Sequence, residues 1–144
     1  MNITKFLNKV YFAPRLKEIE QYTSHAGELQ QLVLQRLVRT AANTEWGKKH
    51  DYASIRTYED FKKCLPIQTY EEVKPYVTRL RAGEQNLLWP SEIRWFAKSS
   101  GTTNDKSKFL PVSRESLHDT HYKGGRDAVA IYLGQNPERS EEHT

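Results

Sequence analysis

The chain has 144 residues, 22 Lys and Arg against 18 Asp and Glu, a net charge of +4, and 37% apolar residues even with Tyr counted. That is one domain's length at most, with a lean core, because Leu, Ile, Val and Phe supply 31 of the 144 residues, close to the level of roughly 20% at which disorder competes with folding. No apolar run approaches the roughly 18 residues of a membrane span, Lys5, Asn8 and Lys9 break the N-terminus before a signal peptide's apolar stretch can form, and the single cysteine, Cys64, leaves no internal disulfide, so a soluble protein of the reducing cytoplasm is expected.

The charge is mixed along the chain. Lys and Arg alternate with Glu and Asp from Arg56 to Arg81 without a single-sign block, the pattern of solvated helix faces and not of a nucleic-acid stripe. The basic excess also suits attraction of a polyanionic substrate. No repeat of 20 to 50 residues and no low-complexity tract is present.

The first two thirds read as helical. Arg15 to Tyr22 forms a short helix behind Pro14, and Ala26 to Asn43 forms an amphipathic one whose apolar stripe is Leu29, Leu32, Val33, Leu37 and Ala41. Trp46-Gly47 ends this helical stretch, with Gly47 expected in a positive-φ turn. Thr57 with Asp60, and Thr69 with Glu72, have the spacing of capping boxes, the second with the better acid for it. Pro75 interrupts the helical pattern Tyr70 to Arg81 and is expected to kink or restart it, and Gly83 closes it.

Beyond Gly83 the pattern changes. Ile93, Trp95, Phe96 and Ala97 predict a buried strand, Lys108 to Val112 a second one, and Ser113 an N-cap for a helix of about 20 residues, Arg114 to Leu133, weakened by Gly124 and Gly125.

Between the two strands lie Ser99-Ser100-Gly101-Thr102-Thr103, then Lys106 and Lys108. Four hydroxyls flank one glycine within five residues, and two ammonium groups follow. Such a turn offers hydroxyl donors, backbone N–H groups that Gly101 leaves accessible, and positive charge to phosphate oxygens. The same residue types also build ordinary hairpin turns. A Walker A loop is excluded: Lys106 follows Gly101 by five positions where six are needed, the second glycine is missing, and a strand follows instead of a helix.

Ser99 to Thr103 with Lys108 and Pro111 resembles the phosphate-binding signature of the acyl-adenylate-forming superfamily. The spacing from lysine to proline resembles one branch of it, the auxin-responsive promoter family of acyl acid-amido synthetases and its bacterial relatives. Thr44 to Gly47, Phe61, Leu65-Pro66-Ile67 with Tyr70, Lys74 to Arg79, Gly83-Glu84, Leu88-Trp89-Pro90 and Phe96-Ala97 resemble that family's N-terminal block in its usual order. Asp105 stands where the family commonly has glycine, and its charge would repel a triphosphate unless it faces solvent or a cation.

The resemblance implies an α/β fold: the N-terminal portion of an acyl-adenylate-forming, luciferase-like large domain, mostly helical to about residue 85, with short strands around the phosphate loop and then a long helix. It implies ATP and Mg2+ as cofactors, a carboxylic acid and an amine or amino acid as partners, and no nucleic acid or membrane. Ser99, Ser100, Thr102 and Thr103 would hold the β- and γ-phosphates, Gly101 would admit close backbone approach, Lys108 would be the catalytic cation, and Lys106 an accessory contact. A basic helical binding module without chemistry and a thioester-forming ligase are the alternatives.

Family members are several times longer, so residues 1–138 are expected to be an incomplete part of the large domain, inactive alone and association-prone through strands that lack sheet partners. The family's adenine, ribose and metal ligands would lie further on. Arg139 to Thr144 resembles the translation of a sequencing adapter.

Among single residues, His118 and His121 stand three apart beside Asp119 without an evident third metal ligand, Cys64 reads as a small core residue, and Trp46, Trp89 and Trp95 as core or interface anchors. Sequencing the gene past codon 138 is expected to reveal an open reading frame of several hundred further codons; a stop codon at that point would overturn the truncation.

Overall fold

The computed structural model describes residues 6–99 and 107–136. The helices are α1 (Ala13–Ser24), α2 (Ala26–Ala41), α3 (Glu45–Lys49), α4 (Tyr58–Cys64), α5 (Tyr70–Arg81), α6 (Arg114–Ser116) and α7 (Lys123–Gln135). Wider π turns, Asn8–Phe12 and Leu117–Tyr122, precede α1 and α7, and a 3-10 turn, Tyr52–Ser54, precedes α4. The strands β1 (Trp95–Lys98) and β2 (Phe109–Val112) pair antiparallel, with Trp95 opposite Val112 and Lys98 opposite Phe109. The chain falls into two compact units, one of residues 1–29 with 115–144 and one of residues 30–114.

The first unit is built from the two ends of the chain. Arg15 on α1 is only 5% exposed, and its guanidinium meets Asp127 on α7 in a fork, Nε to Oδ1 at 2.7 Å and Nη2 to Oδ2 at 2.7 Å. Nη1 donates to Glu18 at 2.6 Å, and Nη2 also donates to the Tyr22 hydroxyl at 2.9 Å. A buried guanidinium is tolerated because four acceptor contacts replace its hydration. The Arg15 hydrogen bonds hold the Asp127 carboxyl below the usual aspartate range, and the Arg15 pKa is raised in turn. Where the sequence predicts one helix over residues 114–133, the backbone widens into the π turn Leu117–Tyr122 and then continues as α7 to Gln135.

The second unit has a small core of Trp46, Tyr76, Leu80, Leu87 and Ile93, with Trp46 set edge-on to Tyr76 at 5.0 Å between ring centroids. Thr44, fully buried, joins α2 to α3: its hydroxyl donates to the Ala41 carbonyl at 2.7 Å and accepts from the Gly47 N–H at 2.9 Å. The first amides of α3 find partners outside the helix, Glu45 N–H on the Asn86 carbonyl and Trp46 N–H on that of Leu87. Gly47 is not in a positive-φ turn as predicted; it lies inside α3, where a Cβ would overlap the Ala41 carbonyl oxygen. Close approach, and not backbone freedom, requires glycine there.

Both capping boxes form. Thr57 and Asp60 exchange hydrogen bonds at 2.9 and 3.2 Å, whereas the Glu72 carboxylate accepts from both the N–H and the hydroxyl of Thr69, at 2.6 and 2.8 Å. These bonds lower the pKa of both acids. Helix α5 runs through Pro75 without restarting, since proline removes one donor and the turns around it keep theirs. It ends at Gly83, with φ of 101°, in a Schellman pair: Gly83 N–H to the Leu80 carbonyl at 3.0 Å and Glu84 N–H to that of Arg79 at 3.1 Å. Arg79 clamps this end, bidentate to Glu45 at 2.7 Å and also paired with Glu84.

Two apolar surfaces differ from expectation. On α2, Val38 and Ala41 are buried while Leu32, Val33 and Leu37 stay exposed, so only the C-terminal end of the predicted stripe is packed. The predicted buried strand shows Trp95, and Leu110 diagonally across the sheet from it, both 51% exposed, because the sheet has two strands and one of its faces is uncovered. Within β1 only Phe96 packs against the core, while Ile93, ahead of the strand, is a member of it.

Asp127→Asn is expected to destabilise the first unit by about 3 kcal/mol, since it leaves a buried guanidinium short of its best partner. The pH dependence has a defined sign. The folded-state pKa of Asp127 is depressed, so its contribution is present above the unfolded value of about 3.9 and is lost as pH falls through the lower folded value. Ellipticity followed through an acid titration should show this phase in the parent chain and not in the Asn variant.

Candidate functional site

Of the residues expected to bind phosphate, Ser99 and Lys108 lie in the described structure, while Ser100, Gly101, Thr102, Thr103 and Lys106 lie outside the described residues. The two flanks meet. Ser99 N–H donates to the Lys108 carbonyl at 2.9 Å, and Lys108 N–H donates to Ser99 Oγ at 3.0 Å, extending the β1–β2 ladder by one pair at the mouth of the loop. A hydroxyl oxygen that accepts an N–H keeps its own proton, so Ser99 joins the two flanks and still has a donor of its own.

The ladder register sends the N–H and C=O of Phe109 away from β1, toward the outer edge of β2. There the Tyr70 hydroxyl meets both groups, accepting from Phe109 N–H at 3.0 Å and donating to the Phe109 carbonyl at 3.3 Å. The same tyrosine ring faces the Lys108 ammonium, with Nζ 5.5 Å from its centroid. From the other end of α5, the Arg81 guanidinium stacks 3.9 Å over the Phe109 ring. Helix α5 therefore grips the residue next to Lys108 from both of its ends. The entry to β1 is fixed similarly: the Gln85 amide accepts from Ile93 N–H at 2.8 Å and donates to the Ile93 carbonyl at 3.2 Å.

Tyr70, Arg81 and Gln85 were not legible as site residues. Each reads in sequence as an ordinary helix or turn position, and the one available signal for Tyr70 is an aromatic with a polar tip directly after an N-cap. The remaining candidates lie elsewhere. His118 and His121 are exposed, their rings against Tyr122, and among the described residues no group of three or more His, Cys, Asp or Glu is placed to hold a metal. Cys64 is half-buried, its carbonyl accepting from His50 Nδ1 at 3.2 Å. Trp46 is core, Trp89 packs at the edge of the core, and Trp95 is exposed. No described helix is long and apolar enough to cross a membrane.

Residues 15–143 match the family model described as the GH3 family N-terminal domain. The chain belongs to the GH3 family. It is 33% identical over 104 residues to an indole-3-acetic acid-amido synthetase, GH3.5, of Arabidopsis thaliana, covering 72% of this chain and 17% of that protein. It is 33% identical over 110 residues to a jasmonoyl–L-amino acid synthetase, JAR4, of Nicotiana attenuata, with 73% and 18% covered. Among solved structures, the GH3.15 acyl acid amido synthetase superposes with a TM-score of 0.74 at 25% identity, over 83% of this chain and 22% of that one. The GH3 chain thus spans about a fifth of the length of these relatives and has the fold of their N-terminal region, the α/β class expected for an adenylate-forming large domain.

Ser99→Ala should open the neck of the loop. Losing one such hydrogen bond costs about 1 kcal/mol, so hydrogen exchange at the Lys108 amide is expected to quicken by about fivefold to tenfold, with little change at Leu110.

Proposed function

We propose that this GH3 chain supplies the phosphate-binding part of an ATP-dependent acyl acid-amido synthetase. The observation that carries the reading is the pairing of Ser99 with Lys108, which brings the two ends of the serine- and threonine-rich segment together with the exposed Lys108 side chain beside them. Family membership supports the reaction class, and the amido synthetases among the relatives support amide over thioester formation and over a binding module without chemistry.

In this reading a carboxylate oxygen attacks the α-phosphorus of ATP, the bond to the β-phosphate bridge breaks, and pyrophosphate leaves. An amine, such as that of an amino acid, then attacks the acyl carbon of the adenylate and AMP departs. Ser99, Ser100, Thr102 and Thr103 hold the β- and γ-phosphates, Gly101 permits close approach of the backbone, and Lys108, with Lys106 beside the loop, offsets the charge that grows on pyrophosphate. Mg2+ would accompany the nucleotide; the described residues offer no cluster of ligands for it, and no step here is assigned to it. The cytoplasm, where ATP and thiols such as Cys64 coexist, is the fitting compartment.

In the intact protein that carries this segment, Lys108→Ala is expected to lower ATP–pyrophosphate exchange by about 10- to 1,000-fold, the loss of one transition-state contact. Lys106→Ala should cost less. Equal and small effects would place the phosphate site elsewhere.

A further inference from the structure

Lys108 lies at the base of the loop on a four-carbon stem, and a lysine ammonium has no fixed direction of its own. Besides the Ser99 bonds to its backbone, two contacts bear on it, and both come from Tyr70. The hydroxyl holds the Phe109 N–H at 3.0 Å and the Phe109 carbonyl at 3.3 Å, which anchors the backbone one residue beyond Lys108. The ring lies 5.5 Å from the ammonium itself. Tyr70 is the first residue of α5, and its own start is fixed by the Thr69–Glu72 box, so the phenol is carried by a rigid element and not by a loop.

We propose that Tyr70 is a positioning residue for Lys108: it parks the ammonium on its ring at the mouth of the phosphate loop and locks the adjacent strand edge, so that the charge is in place before the polyphosphate arrives. A ring face attracts a cation more weakly than a phosphate oxygen does, so an arriving anion can draw the ammonium off the ring without breaking a salt bridge. The proposal rests on the assignment of Lys108 to pyrophosphate departure.

The test is a double-mutant cycle on ATP–pyrophosphate exchange in the intact protein, with Tyr70→Leu, Tyr70→Phe, Lys108→Ala and the Leu–Ala double variant. Tyr70→Leu should lower exchange by about tenfold, and Tyr70→Phe, which keeps the ring and loses the hydroxyl, by about threefold, with a thermal midpoint lowered by the loss of the two Phe109 bonds. In the Lys108→Ala background, Tyr70→Leu should have no further effect, because its only route to the reaction is gone. If Tyr70→Leu is as costly without Lys108 as with it, Tyr70 is a fold residue and this inference fails alone. If Tyr70→Phe and Tyr70→Leu both leave exchange untouched while Lys108→Ala abolishes it, the inference fails as well. If Lys108→Ala itself is silent, the functional assignment fails and the inference with it.

Discussion

A two-stranded sheet has two outer edges and no neighbours to satisfy them, and everything at the candidate site depends on how this chain meets that constraint. Unpaired backbone groups near a core are costly, and an isolated hairpin is marginal in water. Here side chains take the place of absent strands. The Tyr70 phenol bonds both polar groups of Phe109, the Gln85 amide bonds both polar groups of Ile93, and Ser99 Oγ completes the ladder at the loop. Each of these groups combines donor and acceptor in one side chain, which a carboxylate or an ammonium cannot do. The loop's two ends are thereby held at a fixed separation by elements that belong to the helical part of the molecule.

The same arrangement explains which parts of the structure could be read in the residues. Local signals were reliable where the physics is local: the Thr57 and Thr69 boxes, the Gly83 terminator, the helix limits near Ala26 and Arg81, and the two short strands before Ser99 and after Lys108. Long-range contacts left no local trace. Arg15 looks like any solvated cation on a short amphipathic helix, yet it is buried against a carboxylate 112 residues away. Gly47 was legible as a special glycine, but sequence cannot tell a backbone that needs positive φ from one that needs another chain segment pressed against it. At the candidate site, the loop and Lys108 were singled out by their resemblance to a family signature, whereas the Tyr70 contacts could not be, since they depend on the register of a strand 39 residues further on.

Apolar periodicity misled in one direction only. It identified α2 and β1 correctly as elements, then overstated their burial, because periodicity reports which face prefers to be covered and not whether anything covers it. Leu32, Val33 and Leu37 on one element and Trp95 and Leu110 on the other remain open to solvent. Scattered exposed apolar residues are normal on a protein surface, but an uncovered sheet face carrying a tryptophan is a contact-forming surface by composition. The chain spans about a fifth of its relatives' length, and such faces are where added segments would gain most from packing.

The Arg15–Asp127 fork has a consequence for how the molecule is made. Residues 30–114 are continuous in sequence and nested between the two parts of the other unit. On a ribosome adding about 5 to 20 residues per second, α1 emerges roughly 5 to 20 seconds before its partner on α7 is synthesised. For that interval the inserted unit can complete its own core, while Arg15 stays hydrated on a fluctuating helix. The closing of the outer unit must therefore wait for α7, and a contact that spans 112 residues carries the closure entropy of all the chain between its partners.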